Sequence, residues 1–67
     1  MDARSLEINV GKLASNINSR RTHDPEGSVH AAKVELDNAV RANVISHNCR
    51  MDLERILDTA LSTLQRV

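Results

Sequence analysis

Apolar residues recur every three or four positions along this 67-residue chain, and none of them is aromatic. The first such run steps by four, three and four residues through Leu6, Val10, Leu13 and Ile17. This spacing places the four side chains on one face of an α-helix. A core without Phe, Tyr or Trp must be built from smaller aliphatic side chains. The pattern predicts an all-α protein.

Capping residues indicate where two helices begin. Ser5 is the expected N-cap of a first helix over about residues 5–20. A second start signal is Asp24 followed by Pro25, because Asp is a strong N-cap and Pro suits the first turn of a helix. Ser28 is an alternative cap for the same helix.

The rest of the chain is predicted to form a loop and one long helix. The loop covers about residues 20–28, and the helix covers about residues 28–66. Two apolar stripes on this helix differ in phase, which predicts a possible break near residues 46–50. Because neither Pro nor Gly occurs after Gly27, a helical hairpin with a long, possibly kinked second helix is favoured over three separate helices.

The length of the chain limits how stable a monomer can be. Residues 1–67 make at most one domain. A chain of this size buries only about 60% of its unfolded surface, and its one cysteine, Cys49, allows no internal disulfide. Small scaffolds without such crosslinks often gain stability by association. We therefore expect a marginal monomer and packing as an oligomer.

The charge balance and the lengths of the apolar runs argue against a nucleic-acid partner and against a membrane span. Nine basic and nine acidic residues give a formal net charge of zero, which predicts no nucleic-acid partner. No apolar run approaches the roughly 20 residues of a membrane span, and no cleavable signal peptide is visible. We expect a cytoplasmic protein, or one exported without such a peptide. The lone Cys49 fits a reducing compartment.

The sequence offers no arrangement typical of an enzyme or a metal site. His47 and Cys49 are two residues apart, so on a helix they point to different sides. This geometry argues against a shared zinc site and against a Cys–His nucleophile pair. No Gly-rich phosphate loop occurs either. We predict no catalytic residue, no metal and no cofactor.

The most apolar stripe lies near the C-terminus and has two interpretations. In the first, the chain's own first helix covers the stripe; in the second, the stripe binds a partner helix or a second copy. The second interpretation is favoured, since the stripe is broader than a 15-residue helix can cover, and exposed apolar area of this kind usually marks a binding surface. The predicted partner-binding residues are Leu53, Leu57, Ala60, Leu61 and Leu64.

Three segments carry a resemblance to a known family. They are Asp24–Glu26 in the loop, the run Ala42–Ser46, and the stretch Ile56–Leu61. In this order they resemble the needle and inner-rod subunits of type III secretion systems. The resemblance implies a short helix, a turn around a proline, and a long C-terminal helix that lines a filament. The chain departs from the family where Arg41 and Ala42 replace a mid-helix aromatic residue.

An alternative function uses the loop. A small cytoplasmic helical regulator or inhibitor, for instance one encoded by a phage, would form a closed oligomer and bind a target protein. The predicted contacts are then Arg20, Arg21, His23 and Asp24. Charge reversal at Arg20 and Arg21 separates the two functions, because only the regulator would lose its target while its oligomer stays intact.

Overall fold

The computed structural model describes residues 2–65, and these residues form three α-helices. Helix α1 covers Ala3–Asn18, α2 covers Pro25–Arg41 and α3 covers His47–Gln65. No strand occurs within residues 2–65, so the all-α prediction is confirmed. The helices lie side by side in a bundle of 37 × 17 × 16 Å.

The first helix begins and ends two residues earlier than predicted. Its N-cap is Asp2, whose Oδ1 accepts the backbone N–H of Ser5 at 2.8 Å. Ser5 therefore lies inside the helix and supplies a donor, not the cap. At the other end, Arg20 adopts a left-handed φ of 59°, and the N–H of Arg21 reaches back to the carbonyl of Asn16 at 2.8 Å. This Schellman-type end satisfies carbonyls that the helix leaves without partners.

The start of α2 confirms the Asp24–Pro25 signal. Asp24 is the N-cap, and its Oδ1 accepts the N–H of Gly27 at 3.2 Å. Pro25 is the first helical residue. The predicted start near residue 28 is thus three residues late, and Ser28 donates its N–H to the Asp24 carbonyl within the first turn.

The prediction of one long second helix is wrong. The chain leaves helical structure between Arg41 and His47, so α2 and α3 are separate helices. The connection covers residues 42–46 and overlaps the predicted break near 46–50 only at residue 46. The absence of Pro and Gly after Gly27 was the reason for expecting continuity, and it was not a sufficient one.

An asparagine and a serine end one helix and begin the next. Asn43 takes a left-handed φ of 59°, which its short polar side chain tolerates better than most residues do. The N–H of Val44 then donates to the carbonyl of Ala39 at 2.9 Å, as in a Schellman end. Two residues later the Ser46 hydroxyl accepts the N–H of Cys49 at 3.1 Å and caps α3.

The core consists entirely of aliphatic side chains from all three helices and the second connection. Within residues 2–65 no polar or charged residue is buried. The buried residues are Leu6, Val10, Ala14, Ile17, Val29, Leu36, Ala39, Ile45, Leu53, Leu57 and Ala60. Burial of this apolar surface is the main favourable term that holds the bundle together.

Polar contacts along one side show that α2 and α3 run antiparallel. Partner residues rise along α2 as they fall along α3: Glu26 with Gln65 at 3.0 Å, Lys33 with Asp58 at 2.7 Å, and Asp37 with Arg50 at 3.3 Å. The Lys33–Asp58 pair is exposed, so it contributes little to stability. The three contacts report the register in which the two helices meet.

Candidate functional site

The residues predicted to bind a partner lie against the chain's own helices. Leu53, Leu57 and Ala60 are buried in the core, and Leu61 and Leu64 are partly buried against it. The structure therefore gives the C-terminal stripe an intramolecular role. A partner could reach Leu57, which is fully buried, only if the helices separated. Binding of a partner by these five residues stays a prediction.

An open groove separates α1 from α2. Helix α1 packs extensively on α3 but only sparsely on α2. The side chains that α2 presents toward α1 include Ser28, Ala31 and Ala32, which are too small to fill the space. The resulting groove has a volume of about 270 Å³. It is lined by Leu6, Asn9, Val10 and Leu13 of α1 and by Ser28, Ala31, Ala32, Glu35 and Leu36 of α2.

The lining of this α1–α2 groove is apolar with few polar groups. Buried core residues such as Leu6 and Leu36 form its bottom, and the partly buried Leu13 forms one wall. Asn9 and Glu35 are exposed at its edges. Glu35 is the one charged residue in the lining. Such a surface can accept apolar side chains and offers a single carboxylate for an ion pair.

The groove continues along α2 toward the end of that helix. A second hollow of about 250 Å³ shares Glu35 with the α1–α2 groove and adds Asn38, Ala39, Ala42 and Val44. Its lining again contains mostly small or apolar side chains. One flank of α2 is therefore lined by small and apolar side chains on both sides of Glu35.

A third hollow lies between α1 and α3 and is less suited to apolar binding. Its volume is about 320 Å³. Four of its seven lining residues are polar, and the full set is Ala14, Asn18, Arg55, Ile56, Thr59, Ala60 and Thr63. Since α1 and α3 pack closely, this hollow is a surface depression between two helices already in contact.

Four large apolar side chains are about half exposed. They are Ile8 at 48%, Val34 at 47%, Met51 at 49% and Ile56 at 44%. Single exposed apolar residues are normal on protein surfaces. Their neighbours on the helix decide whether any of them belongs to a larger binding face.

The loop residues of the alternative prediction are all exposed. Arg20, Arg21, His23 and Asp24 lie in or beside the connection between α1 and α2. The left-handed backbone of Arg20 and the cap formed by Asp24 hold both ends of this connection in place. Their use as contacts to a target stays a prediction.

His47 and Cys49 form no joint site. Arg50 approaches His47 Nδ1 through Nη2 at 3.0 Å and Asp37 Oδ1 through Nη1 at 3.3 Å, so it joins the start of α3 to α2. Cys49 is partly buried against the core. Among residues 2–65, no group of three or more His, Cys, Asp or Glu side chains is placed to hold a metal ion.

The described part of the chain contains no helix that could span a membrane. None of the three helices is both long enough and apolar enough to cross a bilayer. Each helix instead carries charged and polar side chains on the side away from the core.

The sequence prediction missed the α1–α2 groove. Its signal was present in the spacing of Ser28, Ala31 and Ala32, which places small side chains on the flank of α2. Small residues are also common inside cores, so the pattern alone does not indicate a groove. The groove exists because α1 packs only sparsely on α2, which is a feature of the tertiary arrangement.

Comparison of the chain with protein-family models, with curated proteins and with solved structures finds no match. The resemblance to type III secretion needle and inner-rod subunits therefore stays a prediction. In the structure, one of the segments that carry it, Ala42–Ser46, forms the connection between α2 and α3.

Proposed function

We propose that the protein is a non-enzymatic interaction module that binds one amphipathic α-helix in the groove between α1 and α2. The observation that carries this proposal is the groove itself: an apolar channel left open in a bundle whose other helix pairs are packed. Binding of a helix in an apolar groove is a recurrent mode of peptide recognition.

The small side chains of α2 define what kind of segment fits. Ala31 is exposed and Ala32 is half-buried, so the backbone of a bound helix can approach α2 closely. Distances between packed helices are about 8–10 Å and depend on the side chains at the contact. Apolar residues at i, i+3 and i+4 of the bound helix would cover Leu13 and the core residues at the bottom of the groove.

The charge of the groove adds a second requirement. Glu35 is exposed at its edge and is the one charged lining residue. A Lys or Arg beside the apolar stripe of the bound helix would form an ion pair with this carboxylate. Complementary charges of this kind give register and selectivity more than raw affinity. The ligand is thus a helix with an apolar stripe and a flanking basic residue.

The test is a titration of the ¹⁵N-labelled protein with a designed amphipathic peptide of about 18 residues, with leucines at helical spacing and one lysine beside them. We expect amide shifts to concentrate on the groove-lining residues. Ala31→Arg should abolish these shifts, because a long side chain then occupies the groove. The adjacent variant His30→Arg is the control, since His30 is exposed outside the groove. Equal binding by both variants would contradict the proposal.

Two finer forms of this function follow from the sequence. In the first, the protein is a structural subunit, as the resemblance to needle and inner-rod subunits implies, and it assembles without a fixed limit. In the second, it is a regulator that forms a closed oligomer and binds its target through Arg20, Arg21, His23 and Asp24. Support for the second is the exposure of all four loop residues. The lone Cys49 favours a reducing compartment such as the cytoplasm for either form.

Reversal of both loop arginines to Glu tests target binding by the regulator. The regulator would lose its target and keep its oligomeric state. The structural subunit would keep its assembly, because the loop lies outside the groove. Light scattering of the wild type behind size exclusion separates the two forms: growth without limit as concentration rises supports the structural subunit, and a fixed small oligomer supports the regulator.

A further inference from the structure

The side of α1 that faces away from the core carries an exposed apolar residue between two basic ones. Ile8 is 48% exposed, with Arg4 one turn before it and Lys12 one turn after it. Gly11 and Ser15 lie on the same side, and all of these residues are exposed. A Cβ added at Gly11 would meet no atom within 4 Å. This outer face of α1 therefore allows close approach by another helix.

Ile8 differs from the three other exposed large apolar residues in its neighbours. It alone has Lys or Arg one turn away on both sides, with no acidic residue three or four positions away. Met51 has Glu54 three residues later, and Ile56 has Asp52 four residues earlier. Val34 has no Lys or Arg at either distance. The outer face of α1 is the one apolar helix face in residues 2–65 that is also basic on both sides.

The α1–α2 groove has the complementary composition. It is apolar and contains Glu35 as its one charged residue. We infer that the helix bound in this groove is the outer face of α1 of a second copy of this chain, with Ile8 in the groove and Lys12 paired with Glu35. The inference rests on the proposed function and names its ligand.

The contact joins two different surfaces, so it is heterologous. Within one copy, Ile8 lies on the side of α1 away from the core, whereas the groove lies on the flank that carries Leu13. Each copy therefore carries one outer face of α1 that can bind a second copy and one α1–α2 groove that can accept a second copy. Repeated contacts of this kind produce either a closed ring or an open chain.

Charge reversal tests the pair directly. Sedimentation velocity of the whole chain, from about 5 μM to about 1 mM at low salt, should show association that grows with concentration. Lys12→Glu and Glu35→Lys should each weaken it about tenfold or more, because like charges then face each other. The double variant should restore association, since the pair is re-formed with reversed signs. Arg21→Glu, in the exposed loop, is the control and should leave association unchanged.

Several outcomes would overturn the inference. One is a wild-type chain that stays monomeric at every concentration, and another is a double variant that associates no better than either single variant. Equal weakening by Arg21→Glu would show a general charge effect instead of a specific pair. Circular dichroism of each variant establishes that it is folded. If the wild type stays monomeric but the designed peptide binds the groove, this inference fails and the proposed function stands; if neither binds, both fail.

Discussion

Truncation of Leu57 separates the two interpretations of the C-terminal stripe. Leu57 is fully buried among the chain's own helices. Leu→Ala substitutions at buried sites cost about 2–5 kcal/mol, through lost transfer free energy and the cavity left behind. With no residual exposure at this site, we expect about 3–4 kcal/mol for Leu57→Ala. A chain of this length has a total free energy of unfolding of only about 3–10 kcal/mol, so the loss is a large part of the whole.

The assay is urea and thermal unfolding followed by circular dichroism at low protein concentration. For a domain of this size each kcal/mol shifts Tm by about 4–8 °C, so Leu57→Ala should lower Tm by about 12 °C or more. Leu57→Met keeps most of the volume and should cost less than about 1.5 kcal/mol, which keeps the site measurable if the alanine variant does not fold. The neighbouring variant Ile56→Ala is the control, because Ile56 is 44% exposed and its truncation should cost only about 1 kcal/mol.

The opposite pattern would refute this reasoning. If Leu57→Ala left unfolding at low concentration unchanged but abolished association, Leu57 would contact a partner instead of the core. The partner-binding role predicted from the sequence would then be correct, and the intramolecular packing of α3 would be wrong.

Three further predictions concern helix ends and backbone conformation. Gly11→Ala should raise the free energy of unfolding by about 0.5–1 kcal/mol, seen as a higher urea midpoint, since the added methyl group meets no neighbouring atom. Gly27→Ala should give no gain because its Cβ would collide with the capping carboxylate of Asp24. Arg20→Gly should raise Tm by an amount equivalent to about 0.5–1 kcal/mol, because a glycine avoids the left-handed penalty at φ 59° but makes the unfolded chain more flexible. The backbone N–H of Ser5 donates to the Asp2 carboxylate and lowers the pKa of that carboxyl. The cap therefore stabilises the fold at pH values above the usual pKa of Asp, and this stabilisation is lost as pH falls through the lowered pKa of the folded state. The difference in free energy of unfolding between the wild type and Asp2→Asn should accordingly shrink in acid.

The positions of the helices were only partly predictable from the sequence. Asp24 and Pro25 combine two independent signals, and both the cap and the first residue of α2 were identified from them. Ser5 was a weaker signal for the start of α1 because Asp2 is a second candidate N-cap. Asp2 lies three residues earlier, at the spacing at which an N-cap side chain accepts the N–H of Ser5. Local sequence does not decide between candidate N-caps as close as Asp2 and Ser5, because the packing of the whole helix selects one of them.

The end of α2 shows why the absence of glycine and proline is weak evidence for a continuous helix. Asn43 adopts the left-handed conformation that glycine usually supplies, and Ser46 then caps the next helix. The difference in phase between the two apolar stripes did indicate a break, although it placed the break a few residues late. Once α3 can fold back, Leu53 and Leu57 meet the stripe of α1, and burying this apolar surface favours the turn.

The same fold-back explains why the candidate site was not predictable. An apolar stripe in a sequence is equally suited to an intramolecular core and to a partner, and only the tertiary arrangement decides between them. In the structure, the stripe on α3 is buried against the other helices, and α1 packs only sparsely on α2. The proposed binding surface is consequently built from Ala31, Ala32 and Leu13, which a sequence pattern would assign to ordinary helix packing.

The proposed binding would be coupled to stability, because the buried core residues of α1 and α2 also form the bottom of the groove. Leu6, Val10 and Leu36 are buried core residues that line the groove, so a bound helix would cover the side of the core that α1 and α2 leave thin. A ligand at about 100 times its Kd stabilises the folded state by about 2.7 kcal/mol, which is substantial for a chain of this length. If the ligand is a second copy, Tm must rise with protein concentration in the wild type but not in Lys12→Glu. Leu57→Ala would instead lower Tm by a similar amount at every concentration, because the core is lost before any contact between copies can form.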